Sequence, residues 1–180
     1  MERDILHINI YHFMASVAQV RDPALCGRPR VVAPAGLVRA RVHDLSREAF
    51  TEGIRRGMFL DDALKRCRGA AVVDPDPSLC GRAMKAVMDE LNAFSPLCER
   101  AGAGHAFLDL SGTQRLFGPA VDAADRIRRA LRDRLSLDAG VGVAAGVGGA
   151  DGGGGAGGFS GLVDSVDSAA GVHRGRGDGK

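Results

Sequence analysis

The sequence predicts an α+β fold, in which helices pack on one face of an antiparallel or mixed sheet. Several short segments alternate apolar and polar residues as strands do, and two long segments repeat apolar residues every three or four positions as helices do. Along the chain these segments follow the order strand, helix, basic insertion, helix, strand, helix, strand. This order favours a sheet with its helices collected on one side.

The first strand is predicted in "ILHINIY", where Leu6, Ile8 and Ile10 fall on one face. The other face carries polar side chains, namely His7, Asn9 and Tyr11. Such alternation is typical of a strand with one side packed and one side presented. A short helix is predicted to follow in "HFMASVAQV".

The segment from Pro23 to Asp74 predicts short elements and a mild positive charge. It carries ten Lys or Arg against six Asp or Glu, an excess of four. Strands are predicted in "RPRVVAPAG" and "GAAVVDPDP", and short helices in "LSREAFTEG" and "FLDDALKRC". An excess of this size favours a solvated surface over a dedicated nucleic-acid surface.

The clearest helix begins after Asp76, a good N-cap, with Pro77 at the first helical position. Its predicted apolar stripe is Leu79, Ala83, Val87, Leu91 and Phe94. "HAFLDLSG" predicts a second strand, with His105, Phe107 and Asp109 on its presented face. A second long helix starts near Pro119, with a predicted stripe of Val121, Ala124, Leu131 and Leu135, and "LDAGVGVAA" predicts a last strand.

Composition separates the front of the chain from its end. Of 26 glycines in 180 residues, 16 fall within the 41 residues from Gly140 onward. The four cysteines are widely separated without a C-x-x-C pair, which favours reduced thiols over a zinc site. No apolar run approaches the roughly 20 residues of a membrane span, so a cytoplasmic protein without a membrane partner is expected.

Several stretches together resemble the Y-family DNA polymerases, the translesion group that includes DinB and UmuC. They are "ILHINIYHFMASVAQVRDPALCGRP", "GIRRGMFLDDALKRC", "VVDPDPSLCGRAMKAVMDELNAFSPLCERAGAGHAFLDLSGTQRLFG" and "LDAGVGVAA". The resemblance implies a ferredoxin-like polymerase palm from residues 1–22 and 75–145, with a small fingers subdomain inserted at 23–74. Residues 146–180 are expected to form a disordered low-complexity tail, since large apolar side chains are scarce there.

In this family the palm continues into a thumb and a separate DNA-gripping domain, which the resemblance does not reach. The glycine-rich tail is therefore interpreted as a truncated form, and a frameshift in a GC-rich gene is one explanation. That hypothesis fails if no other reading frame downstream encodes the palm helix and thumb.

The family's mechanism rests on two Mg²⁺ ions held between carboxylates and the incoming triphosphate. Matched residue by residue, the family's first-strand carboxylates fall on Asn9 and Tyr11. Its adjacent Asp-Glu pair falls on Gly104 and His105. All four positions lack a carboxylate here, so the resemblance implies a lapsed catalytic site and no bound metal. A softer metal held by His7, Asn9 and His105 is the alternative to ordinary polar residues on a sheet face.

The nucleotide-binding positions of the family have also changed. Its aromatic that screens out ribose falls on Met14, and the Tyr and Arg that hold the triphosphate fall on Arg47 and Phe50. Its Lys beyond "VGVAA" has no counterpart, because Gly146 and Val147 stand there. The candidates for DNA contact are basic residues of the fingers, namely Arg55, Arg56, Lys65 and Arg66.

Three functional hypotheses follow from this resemblance. The first is a catalytically inactive accessory module in DNA repair, similar to ImuB-type proteins, which contacts DNA weakly, or a replicative polymerase or the sliding clamp. The second is a weakly active translesion nucleotidyltransferase, and the third is a gene fragment without function. The sequence favours the first, as a cytoplasmic protein near the bacterial nucleoid.

Overall fold

The structure is a computed structural model that describes residues 3–146. The described strands are β1 (Arg3–Ile10), β2 (Arg30–Val32), β3 (Asp44–Leu45), β4 (Ala71–Val73), β5 (Cys98–Gly102), β6 (His105–Asp109) and β7 (Ala139–Gly146). The helices are α1 (Phe13–Arg21), α2 (Arg47–Thr51), α3 (Leu60–Arg66), α4 (Pro77–Asn92), α5 (Gln114–Phe117) and α6 (Ala120–Leu135), with a short 3-10 helix at Pro23–Leu25. The predicted tail from Val147 onward lies outside the described residues.

The larger sheet has four antiparallel strands in the order β5-β6-β1-β7. With α4 between β1 and β5, and α6 between β6 and β7, the connectivity is that of a ferredoxin-like sheet. The predicted fold class is therefore confirmed. β7 extends to Gly146, which pairs with Arg3, so the backbone at the predicted start of the tail still belongs to the sheet.

The palm core lies between this sheet and its helices. Leu6, Ile8 and Ile10 of β1 are 0%, 0% and 2% exposed, so the predicted inward face is confirmed. At α4, the Asp76 carboxylate accepts a 2.8 Å hydrogen bond from the Leu79 backbone N–H, as expected of an N-cap.

One part of the predicted stripe on α6 is wrong. Val121 is 64% exposed, and the buried residues are Ala123, Ala124, Ile127 and Leu131. The helix begins directly after Pro119, and at 100° per residue Val121 lies roughly opposite Ala123. The residue with the largest apolar side chain in the first turn therefore faces solvent.

The presented face of the second predicted strand is more buried than expected. Phe107 is 1% exposed and Asp109 is 9% exposed. Phe107 lies against the His7 ring, with centroids 4.9 Å apart, and the Asp109 carboxylate accepts a 2.8 Å hydrogen bond from the Ser111 N–H. These contacts indicate a structural role for Asp109 within the sheet.

A second, smaller core lies in the inserted segment. β2 pairs with β3 in antiparallel fashion and with β4 in parallel fashion, and α2 and α3 cover this small sheet. The buried members of this core are Val31, Val42, Leu45, Ala49, Ile54 and Ala63. Two separate hydrophobic clusters match the predicted pair of palm and fingers, although the boundaries at residues 22 and 74 stay predictions.

The side chain of Asp44 joins the two units. One carboxylate oxygen accepts hydrogen bonds from the Met14 and Ala15 N–H groups at the start of α1, at 2.8 and 3.3 Å. The other accepts two from the Arg56 guanidinium, at 2.7 and 3.0 Å. The first turn of a helix has unpaired N–H groups and a positive end, so this buried carboxylate acts as a cap supplied from the fingers.

Replacing Asp44→Ala should lower the free energy of unfolding by about 2–4 kcal/mol, because two N–H groups lose a charged acceptor in a buried place. Urea unfolding followed by circular dichroism measures the change. Asp44→Asn is the matched variant, since it keeps an acceptor oxygen and should lose less stability. Equal losses in the two variants would contradict a capping role.

Candidate functional site

Three of the four positions that the resemblance matches to the family's carboxylates meet where β1 lies beside β6. Asn9 is directly opposite His105 in the antiparallel register. The Ile10 N–H donates a 2.8 Å hydrogen bond to the Gly104 carbonyl. Residues almost a hundred positions apart in sequence thus share one end of the sheet, as the resemblance implies.

Tyr11, the fourth position, follows β1 in a turn and is 53% exposed. Its N–H donates a 3.0 Å hydrogen bond to the Asp138 carbonyl. Its ring lies across the start of β7, so that a Cβ added at Gly140 would overlap the Tyr11 hydroxyl. The aromatic ring therefore occupies the β7 side of the site.

Gly104 stands where no side chain fits. Its φ is +81°, in the left-handed region, and an added Cβ would lie 2.7 Å from the Phe13 Cβ. Phe13 is itself buried at the start of α1, so it has little freedom to move away. The backbone here is built around a missing side chain, and a carboxylate at 104 would need both a new backbone angle and a shift of α1.

His7 and His105 form a stacked pair on the same face. Their ring centroids lie 5.4 Å apart, and His105 Nδ1 is 3.3 Å from His7 Nε2. At that distance the two ring nitrogens are within hydrogen-bonding reach of each other, and the tautomers decide which ring donates. The sequence-predicted neighbours His7, Asn9 and His105 are thus brought together.

These side chains do not fit the two Mg²⁺ ions that the family uses. Mg²⁺ prefers hard and anionic oxygen ligands, whereas the site offers an amide, a phenol and two imidazoles engaged with each other. Within residues 3–146, no group of three or more His, Cys, Asp or Glu residues is placed to hold a metal ion. The residues present therefore give the site no means of holding the triphosphate-bound metals.

A cleft of about 550 Å³ opens in front of this end of the sheet. Residues from the palm and the inserted segment line it, among them Asn9, Tyr11, His105, Phe50 and Arg55. Arg47 lines an adjoining cleft that shares Tyr11 and Phe50.

Met14 is not at either cleft. It packs against the palm core and lines a different cavity, between α1, β2, β4 and α4.

The four basic candidates for DNA contact are only partly available. The Arg55 guanidinium stacks on the Phe50 ring at 3.9 Å, Arg56 holds Asp44, and Lys65 pairs with Asp62 at 3.1 Å. Arg55 and Arg56 line the cleft, whereas Lys65 and Arg66 do not. The structure thus divides the predicted set into two cations at the cleft and two on α3.

Sequence reasoning missed two buried polar residues beside the cleft, Asp44 and Arg30. Arg30 is 4% exposed and donates to the carbonyls of Ala15 and Leu25, and its guanidinium also bonds Gln19. A charged residue within "RVV" or "HDLS" shows no periodicity that separates it from a surface residue. The nearby local signal in the sequence is Ser46, the N-cap of α2, whose hydroxyl accepts a hydrogen bond from the Ala49 N–H.

His12 lies between the end of β1 and the Asp44–Arg56 pair. It lies between Tyr11 and α1 with a left-handed φ of 50°. Burial lowers its pKa below the usual 6.5, and the nearby Arg56 charge acts in the same direction, while Asp44 opposes both. The neutral imidazole is therefore the form that the folded protein favours.

A ferredoxin-like sheet with an inserted, separately packed unit and a cleft between them is the arrangement that the resemblance to the Y-family polymerases implies. The impB/mucB/samB family matches residues 8–148, and the chain belongs to this family. The assignment rests on more than three quarters of the chain, and it confirms the predicted family.

Curated proteins similar to this chain are consistent with the family match. "DNA polymerase IV 2" of Mesorhizobium japonicum is 37% identical over 140 residues, covering 78% of this chain and 32% of that protein. "DNA polymerase IV" of Halorhodospira halophila is 34% identical over 142 residues, covering 79% and 40%. The chain thus spans between about a third and two fifths of the length of these relatives.

Solved structures show the same fold. An insertion ternary complex of Dbh DNA polymerase matches with a TM-score of 0.73 at 23% identity, over 78% of this chain and 42% of that one. DinB from Sulfolobus solfataricus matches with a TM-score of 0.72 over the same shares. Within the described part of the chain, no helix has the length and apolar character needed to cross a bilayer.

Replacing Gly104→Ala should lower the free energy of unfolding by about 2–4 kcal/mol, from left-handed backbone strain and overlap with Phe13. Urea unfolding measures the loss. Gly102→Ala is the matched control two residues away, since nothing lies within 4 Å of its added Cβ. A loss no larger at 104 than at 102 would show that the glycine is not required.

Lowering the pH from about 7 to 5 should reduce stability through His12. The unfolded chain takes up a proton near pH 6.5 that the folded imidazole resists, so the free energy of unfolding falls with pH in that window. His12→Asn, which tolerates a left-handed φ, should flatten this dependence, and His43→Asn at an exposed position is the matched substitution measured beside it. An unchanged pH profile in His12→Asn would contradict the assignment.

Proposed function

We propose that this chain is a catalytically inactive relative of translesion DNA polymerases that serves DNA damage tolerance as a binding module. The observation that carries the proposal is the end of β1 and β6, where Asn9 faces His105 and Gly104 has no room for a side chain. The proposed setting is the cytoplasm, at the nucleoid. The proposed ligand is primer-template DNA, with a replicative polymerase or the sliding clamp as the alternative partner.

The magnitude of the missing charges supports inactivity. A unit charge about 4 Å from another contributes on the order of 4 kcal/mol at an effective dielectric constant near 20. When that contribution is felt only in the transition state, it equals about three decades in rate. Several such charges are absent at the matched positions, and the amide of Asn9 restores none of them.

A weakly active translesion polymerase is the second candidate. The observation in its favour is the cleft itself, which still carries Arg55, Arg56 and the Phe50 ring beside the end of the sheet. A positive cleft with an aromatic wall suits a nucleotide or a DNA end. The third hypothesis, a fragment without function, has the Gly-rich sequence after 146 as its support.

Purified protein should give no templated primer extension above background with any of the four nucleotides and Mg²⁺ or Mn²⁺. Denaturing gels with a labelled primer measure this, and an Asn9→Ala variant is the control for contaminating polymerases. Extension by the original chain that Asn9→Ala abolishes would establish the second candidate and remove the first.

DNA binding should be weak and strongly salt-dependent, with a dissociation constant above about 1 µM at physiological salt. Arg55→Ala combined with Arg66→Ala should weaken binding for every sequence and reduce the slope against log salt by about 2. Arg126→Ala, an exposed change on α6 of the palm, is the matched control. Fluorescence anisotropy of a labelled primer-template measures both. Undetectable binding at low salt would remove DNA as the ligand.

A further inference from the structure

The stacked pair of His7 and His105 is a group of metal-ligating side chains that the proposed function does not use. In the antiparallel register His7 is opposite Phe107 and His105 is opposite Asn9, so the two histidines are diagonal neighbours on one face of the sheet. His7 is 9% exposed and His105 is half-buried. The pair therefore lies at the boundary between the packed sheet and the cleft.

The separation of the two ring nitrogens matches the separation of two ligands on one metal ion. His105 Nδ1 lies 3.3 Å from His7 Nε2. In a tetrahedral zinc site the Zn–N bonds are about 2.0–2.1 Å, which places two nitrogen ligands about 3.3–3.4 Å apart. An ion to one side of the line between the nitrogens therefore reaches both at bonding distance once the rings tilt toward it.

The donor atoms define the class of ion. Neutral imidazole nitrogen is a ligand for Zn²⁺, Cu²⁺ and Ni²⁺, whereas Mg²⁺ takes oxygen. For both lone pairs to face the ion, the protons must sit on His7 Nδ1 and His105 Nε2, so a proton held between the rings moves through solvent to one of these atoms. Neutral rings release no net proton, whereas a ring protonated on both nitrogens must lose one, so binding weakens at acid pH.

The surroundings of the pair suit a bound cation. The Phe107 ring packs on His7 with centroids 4.9 Å apart, which restricts the orientation of that imidazole. Asn9 and His105 both line the 550 Å³ cleft, so an ion can enter there, and the Asn9 amide and water supply oxygen for the remaining coordination positions. Glu99 of β5 is opposite Phe107 in the register and adds a carboxylate to this face of the sheet.

We infer that His7 and His105 chelate a divalent transition-metal ion of the zinc class, in a site that opens into the cleft. With two protein nitrogens the site is an open one, in agreement with the lack of any group of three or more His, Cys, Asp or Glu ligands within residues 3–146. It differs from the family's Mg²⁺ site in donor atoms and in ion class, and the resemblance matches none of the family's carboxylates to His7. It is also independent of the proposed DNA binding, which is assigned to arginines of the inserted segment.

Isothermal titration calorimetry of the full-length protein with zinc chloride measures the site. His105→Phe keeps a stacked ring but has no nitrogen, so it should lower the zinc association constant by at least about tenfold. His7→Phe should act in the same direction. His43→Phe, at an exposed histidine away from the pair, is the matched control and should leave the constant unchanged. Circular dichroism checks that each variant keeps its fold.

Cobalt as a spectroscopic substitute for zinc tests the site without any substitution in the chain. Four-coordinate Co²⁺ absorbs strongly in the visible, and nitrogen and oxygen ligands lack the near-ultraviolet charge-transfer band of thiolate, which matters because the chain has four cysteines. We expect a visible band that Zn²⁺ abolishes by competition, without a thiolate band. A weak six-coordinate spectrum, a thiolate band, or an equal zinc affinity in His105→Phe and the original chain would overturn the inference.

Discussion

The buried carboxylate of Asp44 is the contact on which the arrangement of palm and fingers depends. It receives the first N–H groups of α1 from one side and the Arg56 guanidinium from the other. Burying a carboxylate is costly unless every lone pair finds a donor, and here four hydrogen bonds offset that cost. Because α1 begins directly after His12 and Tyr11, this one cap also sets how the end of β1 faces the fingers.

The side chains around Asn9 pack closely against one another and against the glycines of neighbouring strands. Phe13 fills the space above Gly104, the Tyr11 ring lies over Gly140, and His105 stacks on His7. A side chain introduced at Gly104 would meet Phe13, which fills that space. Under the proposed correspondence with the family, regaining metal binding requires several coordinated changes and not one.

The sequence was sufficient for the parts of the fold that local signals determine. α4 has a capping Asp76 and a proline at its first turn, and β1 alternates with period two, so both were predictable. The sequence of β5, "CERAG", does not alternate, and the strand has a bulge, so no pattern predicts it. β3 has two residues, which is too short for an alternating pattern. The predicted burial of Val121 is wrong because tertiary packing decides which face of α6 contacts the core. In the site, Asn9 and His105 were identified as site positions by the resemblance to the family. The role of Asp44 depends on tertiary contacts, which no local sequence pattern indicates.

Under the proposed inactivity, the separation of core and cleft lets such a chain keep its fold without polymerase chemistry. The palm core consists of buried apolar residues such as Leu6, Ile8 and Leu108, while Asn9 and Tyr11 stand outside it. Carboxylates grouped to hold metal ions repel one another when no metal is bound, so they cost stability. Under the proposed correspondence with the family, an amide, a phenol, a glycine and an imidazole in their place remove that repulsion. Selection for binding alone would therefore preserve the scaffold and let the metal site lapse.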